Sequence, residues 1–312
     1  MKTTPTIEIS HNIETDTLHR FVFENTPVRG NLVNLTHTLQ QALRLQTMPK
    51  GLRQGLGELM AASALLSATL KMNGSIVLQI QSKGALKLLV VECNSTFGIR
   101  ATAKWSGDVK DEQNLFELID YGQFIITLDP KNEGAEGSQA YQGIVPLEGD
   151  SISEVLENYM LRSEQIDTRI WLCCDGNSAA GMLLQKLPET MNQLTQTHDL
   201  DTWNRVGHLA STVTDEELLT LPAATLLMRL FHEEEVRLFE ASNTQFYCGC
   251  SRESVSSMLR MLGNEEITSI IEEQGKIEVN CDFCNTHYLF DKVDATALLV
   301  TDPVLPSSKE VH

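Results

Sequence analysis

Cys248-Gly249-Cys250, followed after thirty residues by Cys281-Asp282-Phe283-Cys284, is the stretch that decides how this chain is read. Two closely spaced thiol pairs, with enough chain between them to fold back, meet the requirement of a tetrahedral four-sulfur site, because each short loop supplies two ligands at fixed distance. Zn²⁺ is the expected occupant, one ion per chain, with Cys248, Cys250, Cys281 and Cys284 as its ligands. One pair is C-x-C, tighter than the C-x₂₋₄-C of most zinc ribbons. With the metal gone, both pairs hold sulfurs close enough for local disulfides, and a disulfide across a single residue is strained and readily reduced again. The spacing therefore reads as a switch.

Working outward, residues 236–295 read as a small cysteine domain, with 296–312 as a tail. A unit of about sixty residues with modest apolar content needs a staple to fold. Structural zinc is worth roughly 10 to 16 kcal/mol in small peptides, against a whole-domain stability of about 5 to 15 kcal/mol. Losing the metal is expected to unfold this segment.

Upstream, residues 176–235 read as a metastable helical linker. Thr190 to Thr220 is rich in threonine, and its apolar residues Leu200, Trp203, Val206 and Ala210 make only a thin helical face. Such a helix forms when that face docks on something else. Thr214-x-x-Glu217 has the capping-box pattern, and Pro222 interrupts the helix that continues through Met228 and Phe231.

Residues 1–175 read as an α+β domain. Ser75 to Gln81, Leu86 to Glu92 and the alternating run Phe97 to Trp105 predict a three-strand meander. Further strands are expected at Phe124 to Leu128, Tyr141 to Val145 and Thr168 to Cys173. Helices are expected at Leu32 to Gln46, at Leu59 to Leu70 with burial on more than one side, and at Ser151 to Arg162 behind a Ser151-x-x-Glu154 cap. The fold class is thus α+β: an N-terminal sheet-and-helix domain, a helical linker and a small four-cysteine zinc domain.

Composition narrows the function. At 312 residues, with 42% hydrophobic and 21% charged side chains, the chain has the size of two domains and can bury a real core. Its formal net charge of −18 disfavours nucleic acid as a partner, since phosphate binding needs a cationic surface. The segment from Cys248 to Asp291 repeats the bias, with eight acidic residues against Arg252, Arg260 and Lys276. The start MKTTPTIEIS has no apolar signal segment, and runs such as Leu86 to Val91 are far too short to span a bilayer. A cytoplasmic protein with no membrane partner is expected. Walker loops, G-x-S-x-G and H-E-x-x-H are all missing from the sequence, so no enzyme activity is expected.

The residues resemble the redox-regulated heat shock protein 33 family of molecular chaperones. Beyond the cysteines, the resemblance includes Asp16 to Glu24 and Val28-Arg29-Gly30, then Tyr141 to Gly149 and Ser163-Glu164-Gln165. It continues through Glu216 to Pro222 and His232 to Val236, covering about residues 15 to 295. The resemblance implies an ATP-independent holdase, inactive when reduced and zinc-bound. It implies activation by oxidants, with disulfides Cys248 to Cys250 and Cys281 to Cys284, release of zinc, and unfolding of the zinc domain and linker. The active form, often a dimer, then binds unfolding client proteins.

Other readings of the same residues are a permanently structural zinc site, a constitutive zinc-ribbon module binding nucleic acid or protein, and a thiol-disulfide oxidoreductase using Cys281-x-x-Cys284. The last lacks a thioredoxin-like strand-motif-helix setting. Cys93, Cys173 and Cys174 end apolar runs and are expected to be buried small hydrophobes, His287 a surface or packing residue, and Trp203 and Phe231 core residues.

Overall fold

Short runs of β-branched and aromatic residues draw the first part of the chain into two sheets, antiparallel except for one pair of strands. In the computed structural model, which describes residues 15–44, 46–70, 73–130, 140–188 and 201–300, the chain divides into two compact units, Met1–Tyr247 and Cys248–His312.

The first unit opens with the hairpin β1 (Thr17–Phe23) and β2 (Val28–Leu35), then α1 (His37–Leu43) and α2 (Lys50–Ser67). The expected meander follows as β3 (Gly74–Gln81), β4 (Leu86–Asn94) and β5 (Gly98–Trp105), extended by β6 (Gln123–Pro130) and β7 (Tyr141–Pro146). After α3 (Ile152–Arg162) come β8 (Thr168–Cys174) and β9 (Ala179–Lys186). Three short helices, α4 (Thr202–Ala210), α5 (Asp215–Thr220) and α6 (Ala223–Leu230), lead to the short strands β10 (Val236–Leu238), β11 (Ser242–Asn243) and β12 (Gln245–Phe246).

One sheet runs β10-β1-β2-β9-β8, with β11 also on β1; the other runs β12-β5-β4-β3-β6-β7, in which β12 lies parallel to β5. Helix α2 packs against strands of both. Its glycines and alanines permit this close approach: a Cβ at Gly57 would strike the Cys174 sulfur. The helix is buried on more than one side, as its composition predicts, and begins nine residues earlier than the apolar run suggested, at Lys50.

The first sheet is covered on both faces. On one side lies the main core with α2; on the other, Phe21, Phe23, Leu32, Met182 and Leu184 meet Val206, Leu226, Leu227, Leu230 and Phe231 of the helical segment. Phe231 stands edge-on to Phe23 at 5.0 Å between ring centroids and lies 6.4 Å from Phe21.

Three expectations need correction. Leu32 to Gln46 is not one helix: β2 runs through Leu35, paired to β1 and β9 on either side, and only His37–Leu43 is helical. The carboxylate of Asp16 accepts from the N–H groups of Thr36, His37 and Thr38 and thereby starts the helix at that point. The span 176–235 is not linker from its start, because Ala179–Lys186 is an interior strand between β2 and β8. Buried on both faces, it shows a continuous apolar run rather than alternation. Nor does the cysteine unit begin at 236: residues 236–247 pair with β1 and β5, and the second unit starts at Cys248. Leu200, with the rest of 189–200, and the tail beyond 300 lie outside the described residues.

Both expected caps form. Ser151 Oγ accepts from Glu154 N–H, and Thr214 and Glu217 make a reciprocal capping box at the start of α5.

The second unit contains α7 (Arg252–Leu262), α8 (Asn264–Gln274), the hairpin β13 (Ile277–Asn280) and β14 (His287–Phe290), and α9 (Lys292–Val300). Among its described residues, the buried core comprises only Leu259, Ile267, Ile277, Phe290, Ala295 and Leu298.

Candidate metal centre

Each thiol pair sits on a backbone that fixes it. Cys248 and Cys250 follow β12 directly, and Ser251 closes the loop by capping α7, its Oγ accepting from Ser254 N–H at 3.2 Å. Cys281 and Cys284 lie in the turn between β13 and β14. There Cys281 N–H donates to Thr286 O at 3.0 Å and Asn285 N–H to Cys281 O at 2.8 Å. Asn285 takes a positive φ of 55°, a conformation that asparagine tolerates better than most side chains.

These two loops bring the four sulfurs within 4.8 Å of one another. Cys248 Sγ is 3.7 Å from Cys281 Sγ, and Cys250 Sγ is 3.3 Å from Cys284 Sγ. Four thiolates around a tetrahedral zinc at about 2.3 Å stand about 3.8 Å apart. The donor set therefore fits zinc in number, type and spacing, and all four cysteines are half-buried rather than sealed. Among the described residues no other group of three or more cysteine, histidine or acidic side chains comes together in this way.

The surroundings treat the sulfurs unequally. Burial opposes the thiolate of Cys284, but hydrogen bonds from the hydroxyl and N–H of Thr286 and the contacts with Cys250 and Cys248 outweigh it, bringing this thiol down to about 6. At Cys281 burial prevails over the N–H groups of Cys284 and Phe283, and the pKa is raised. The Tyr288 hydroxyl donates to Cys250 Sγ at 3.1 Å, and that bond holds the phenol's proton on, raising its pKa to about 12.

Sequence reading missed Tyr288 and Thr286. The signal was their position: hydroxyl residues two and four places after Cys284, on a hairpin whose register pairs Val279 with Tyr288. It also missed Arg252, which braces the loop by donating to Leu289 O and to the Asp294 carboxylate, each at 2.7 Å, with its guanidinium 4.2 Å over the Phe290 ring.

His287 is exposed, 3.8 Å from Glu278, and does not join the sulfur group. Cys93, Cys173 and Cys174 are buried in the first unit. Burial pushes Cys93 and Cys174 up to about 12 and Cys173 higher still, which leaves them poor nucleophiles. Phe231 is core, as expected, and Trp203 is half-buried beneath the Arg169 guanidinium at 5.0 Å. Among the described residues no helix is long and apolar enough to cross a membrane.

Comparison with known proteins places this geometry in context. A family model described as Hsp33 protein matches residues 16–291. A 33 kDa chaperonin from Methylobacillus flagellatus is 58% identical over 298 residues, covering 95% of this chain and 99% of that protein. One from Chromobacterium violaceum is 48% identical over 297 residues, covering 95% and 98%. The crystal structure of a 33 kDa chaperonin, a heat shock protein 33 homolog, from Thermotoga maritima superposes with a TM-score of 0.75 at 20% identity. It covers 91% of this chain and 97% of that one, and shows the same fold. With the family matched from β1 to the end of β14, and with near-full-length relatives of this identity, the chain belongs to the Hsp33 family of chaperones.

Proposed function

We propose that this protein is an oxidation-activated, ATP-independent holdase of the cytoplasm, silent when reduced and zinc-bound. The observation that carries the proposal is the gathering of four cysteine sulfurs in a unit whose described core has only six buried apolar residues. Zinc bound to Cys248, Cys250, Cys281 and Cys284 would supply the folding energy that so small a core lacks and would keep the four sulfurs deprotonated.

Oxidation then acts on folding through the cysteines themselves. Pairing Cys248 with Cys250 and Cys281 with Cys284 consumes all four donors, and the segment from Cys248 onward loses its staple. The strands immediately before Cys248 are only three, two and two residues long, so they hold the preceding helices weakly. When α4 to α6 leave the first sheet, Phe21, Phe23, Leu32, Met182 and Leu184 are uncovered together with the helices' own apolar faces. A contiguous apolar surface of this kind binds unfolding chains. The active form is a homodimer on this reading, and the chaperone cycle needs neither nucleotide nor catalysis.

Zinc content and suppression of aggregation of a thermally unfolding client, measured side by side from fully reduced to peroxide-oxidised protein, test the proposal. Reduced protein is expected to carry one zinc and no activity, and oxidised protein activity without zinc. Equal activity in both states would leave a constitutive module instead.

A further inference from the structure

Two hydroxyls touch the sulfur cluster, and the switch as described above uses neither. Tyr288 reaches Cys250 from β14 with its oxygen 3.1 Å from Sγ, and Thr286 Oγ1 lies 3.1 Å from Cys284 Sγ. Where the sulfur is a thiolate it has no proton to give, so in both contacts the hydroxyl donates. The contacted sulfurs are also a close pair, 3.3 Å apart.

We propose that Tyr288 and Thr286 are positioning residues that set the oxidant threshold of the switch, by holding down the nucleophilicity of Cys250 and Cys284 through these hydrogen bonds. The inference rests on the redox reading above. A donated hydrogen bond draws charge from sulfur, and a less basic thiolate is a poorer nucleophile. In the first step a sulfur lone pair attacks one oxygen of a hydroperoxide. The O–O bond breaks, hydroxide leaves, and the sulfur carries OH as a sulfenic acid. A second thiolate attacks that sulfur, the S–S bond forms and the second hydroxide departs; two thiolates have been oxidised and one peroxide reduced. The two hydroxyls slow the first attack and leave the products unchanged.

Thr286 also donates its backbone N–H to Cys284, so removing its hydroxyl leaves one donor in place. Tyr288→Phe is therefore expected to have the larger effect and Thr286→Val the smaller.

The test uses the full chain, reduced and loaded with zinc, exposed to hydrogen peroxide while a chromogenic chelator reports metal release. Tyr288→Phe is expected to release zinc about fivefold faster than the unsubstituted protein, the factor that corresponds to one ordinary hydrogen bond. Zinc stoichiometry is expected to stay at one per chain, and the rate of loss to chelator without peroxide is expected not to rise. An unchanged or slower peroxide rate overturns the inference, and so does an equal acceleration without peroxide, which would mark a merely structural residue. In the cobalt(II)-loaded protein, the sulfur-to-metal charge-transfer band is expected to move to lower energy in Tyr288→Phe, and a band that stays put overturns the inference as well. Should the unsubstituted protein keep its zinc in peroxide, the redox reading itself fails, an outcome distinct from equal rates in the two proteins.

Discussion

Replacing Phe231 by alanine removes the side chain that ties the helical segment to the first sheet most directly. Its ring is 2% exposed and packs on Phe23 and Phe21. Truncating a buried phenylalanine costs about 3 to 5 kcal/mol. The main core with α2 and the second sheet keeps all its own contacts, so the loss falls on the docking of α4 to α6. At about 1.4 kcal/mol per tenfold, the undocked population rises by roughly two to three and a half orders of magnitude. Amide hydrogen exchange reads this directly: protection in Thr202–Ala210 and Ala223–Leu230 should fall by at least about 100-fold, while α2 and β3 to β6 keep theirs. The reduced, zinc-loaded variant should then suppress client aggregation without any oxidant. Unchanged protection in α4 and α6, or equal loss across the first unit, would refute the claim that this segment docks as a separate layer. Undocked helices without activity would refute the assignment of the covered sheet face to client binding.

Three further outcomes are expected. Glu58 on α2 is raised from 4.5 to about 7, mainly by burial and then by Asp215 of α5. The folded chain thus keeps a proton that the unfolded chain has released, and this group's contribution is complete below about pH 4.5 and is lost as pH rises through 7. Glu58→Gln should stabilise the first unit by up to about 3 kcal/mol at pH 8 and leave it unchanged near pH 4.5; denaturant titrations at both pH values check the sign. Cys248→Ser should lose zinc on dialysis and unfold the segment from 248 onward while exchange in α2 and β3 to β6 stays slow, and slow exchange throughout 252–298 without metal would contradict the staple. Thr214→Ala removes the acceptor for Glu217 N–H at 3.3 Å and should weaken α5 by about 1 kcal/mol, seen as faster exchange of Asp215–Thr220 alone.

Local signals carried much of this structure. The meander from Gly74 to Trp105 and the caps at Ser151 and Thr214 were legible because alternation and capping are properties of neighbouring residues. Partners far along the chain are not written locally. Ala179–Lys186 shows no alternation because both its faces are covered, one by α2 and the other by a helical segment that starts sixteen residues after the strand ends. The end of β2 reads as helix in sequence because nothing near Leu35 announces that Asp16, nineteen residues earlier, caps α1. At the candidate metal centre, the spacing of the thiols points to the four sulfurs, while Tyr288 and Arg252 enter only through the hairpin register and the packing of α7 and α9.

The proposed route from the cysteines to the helices rests on how thinly the intervening chain is held. Between Phe231 and Cys248 the backbone is tied to β1 and β5 by a handful of bonds. Among them are Glu24 N–H to Glu235 O, Phe239 N–H to Arg20 O, Thr244 N–H to Asp16 O and Tyr247 N–H to Ile99 O, all 2.8 to 2.9 Å. The Arg237–Glu24 ion pair that accompanies them is largely exposed and adds little. Each such bond contributes about 1 kcal/mol net, and a ladder of two- and three-residue strands opens from its end without a large barrier. Once the segment after Tyr247 has no fold to anchor it, the strand nearest it carries the whole entropy of a free chain at its end. On the proposed reading, undocking would proceed backward, from β12 toward α6, and the last contacts to go would be those of Phe231 with the two phenylalanines of β1. That order is how, on the same reading, loss of the four-sulfur site would free an apolar surface of the first unit: the folded segment after Tyr247 would fix the end of the strap that covers it.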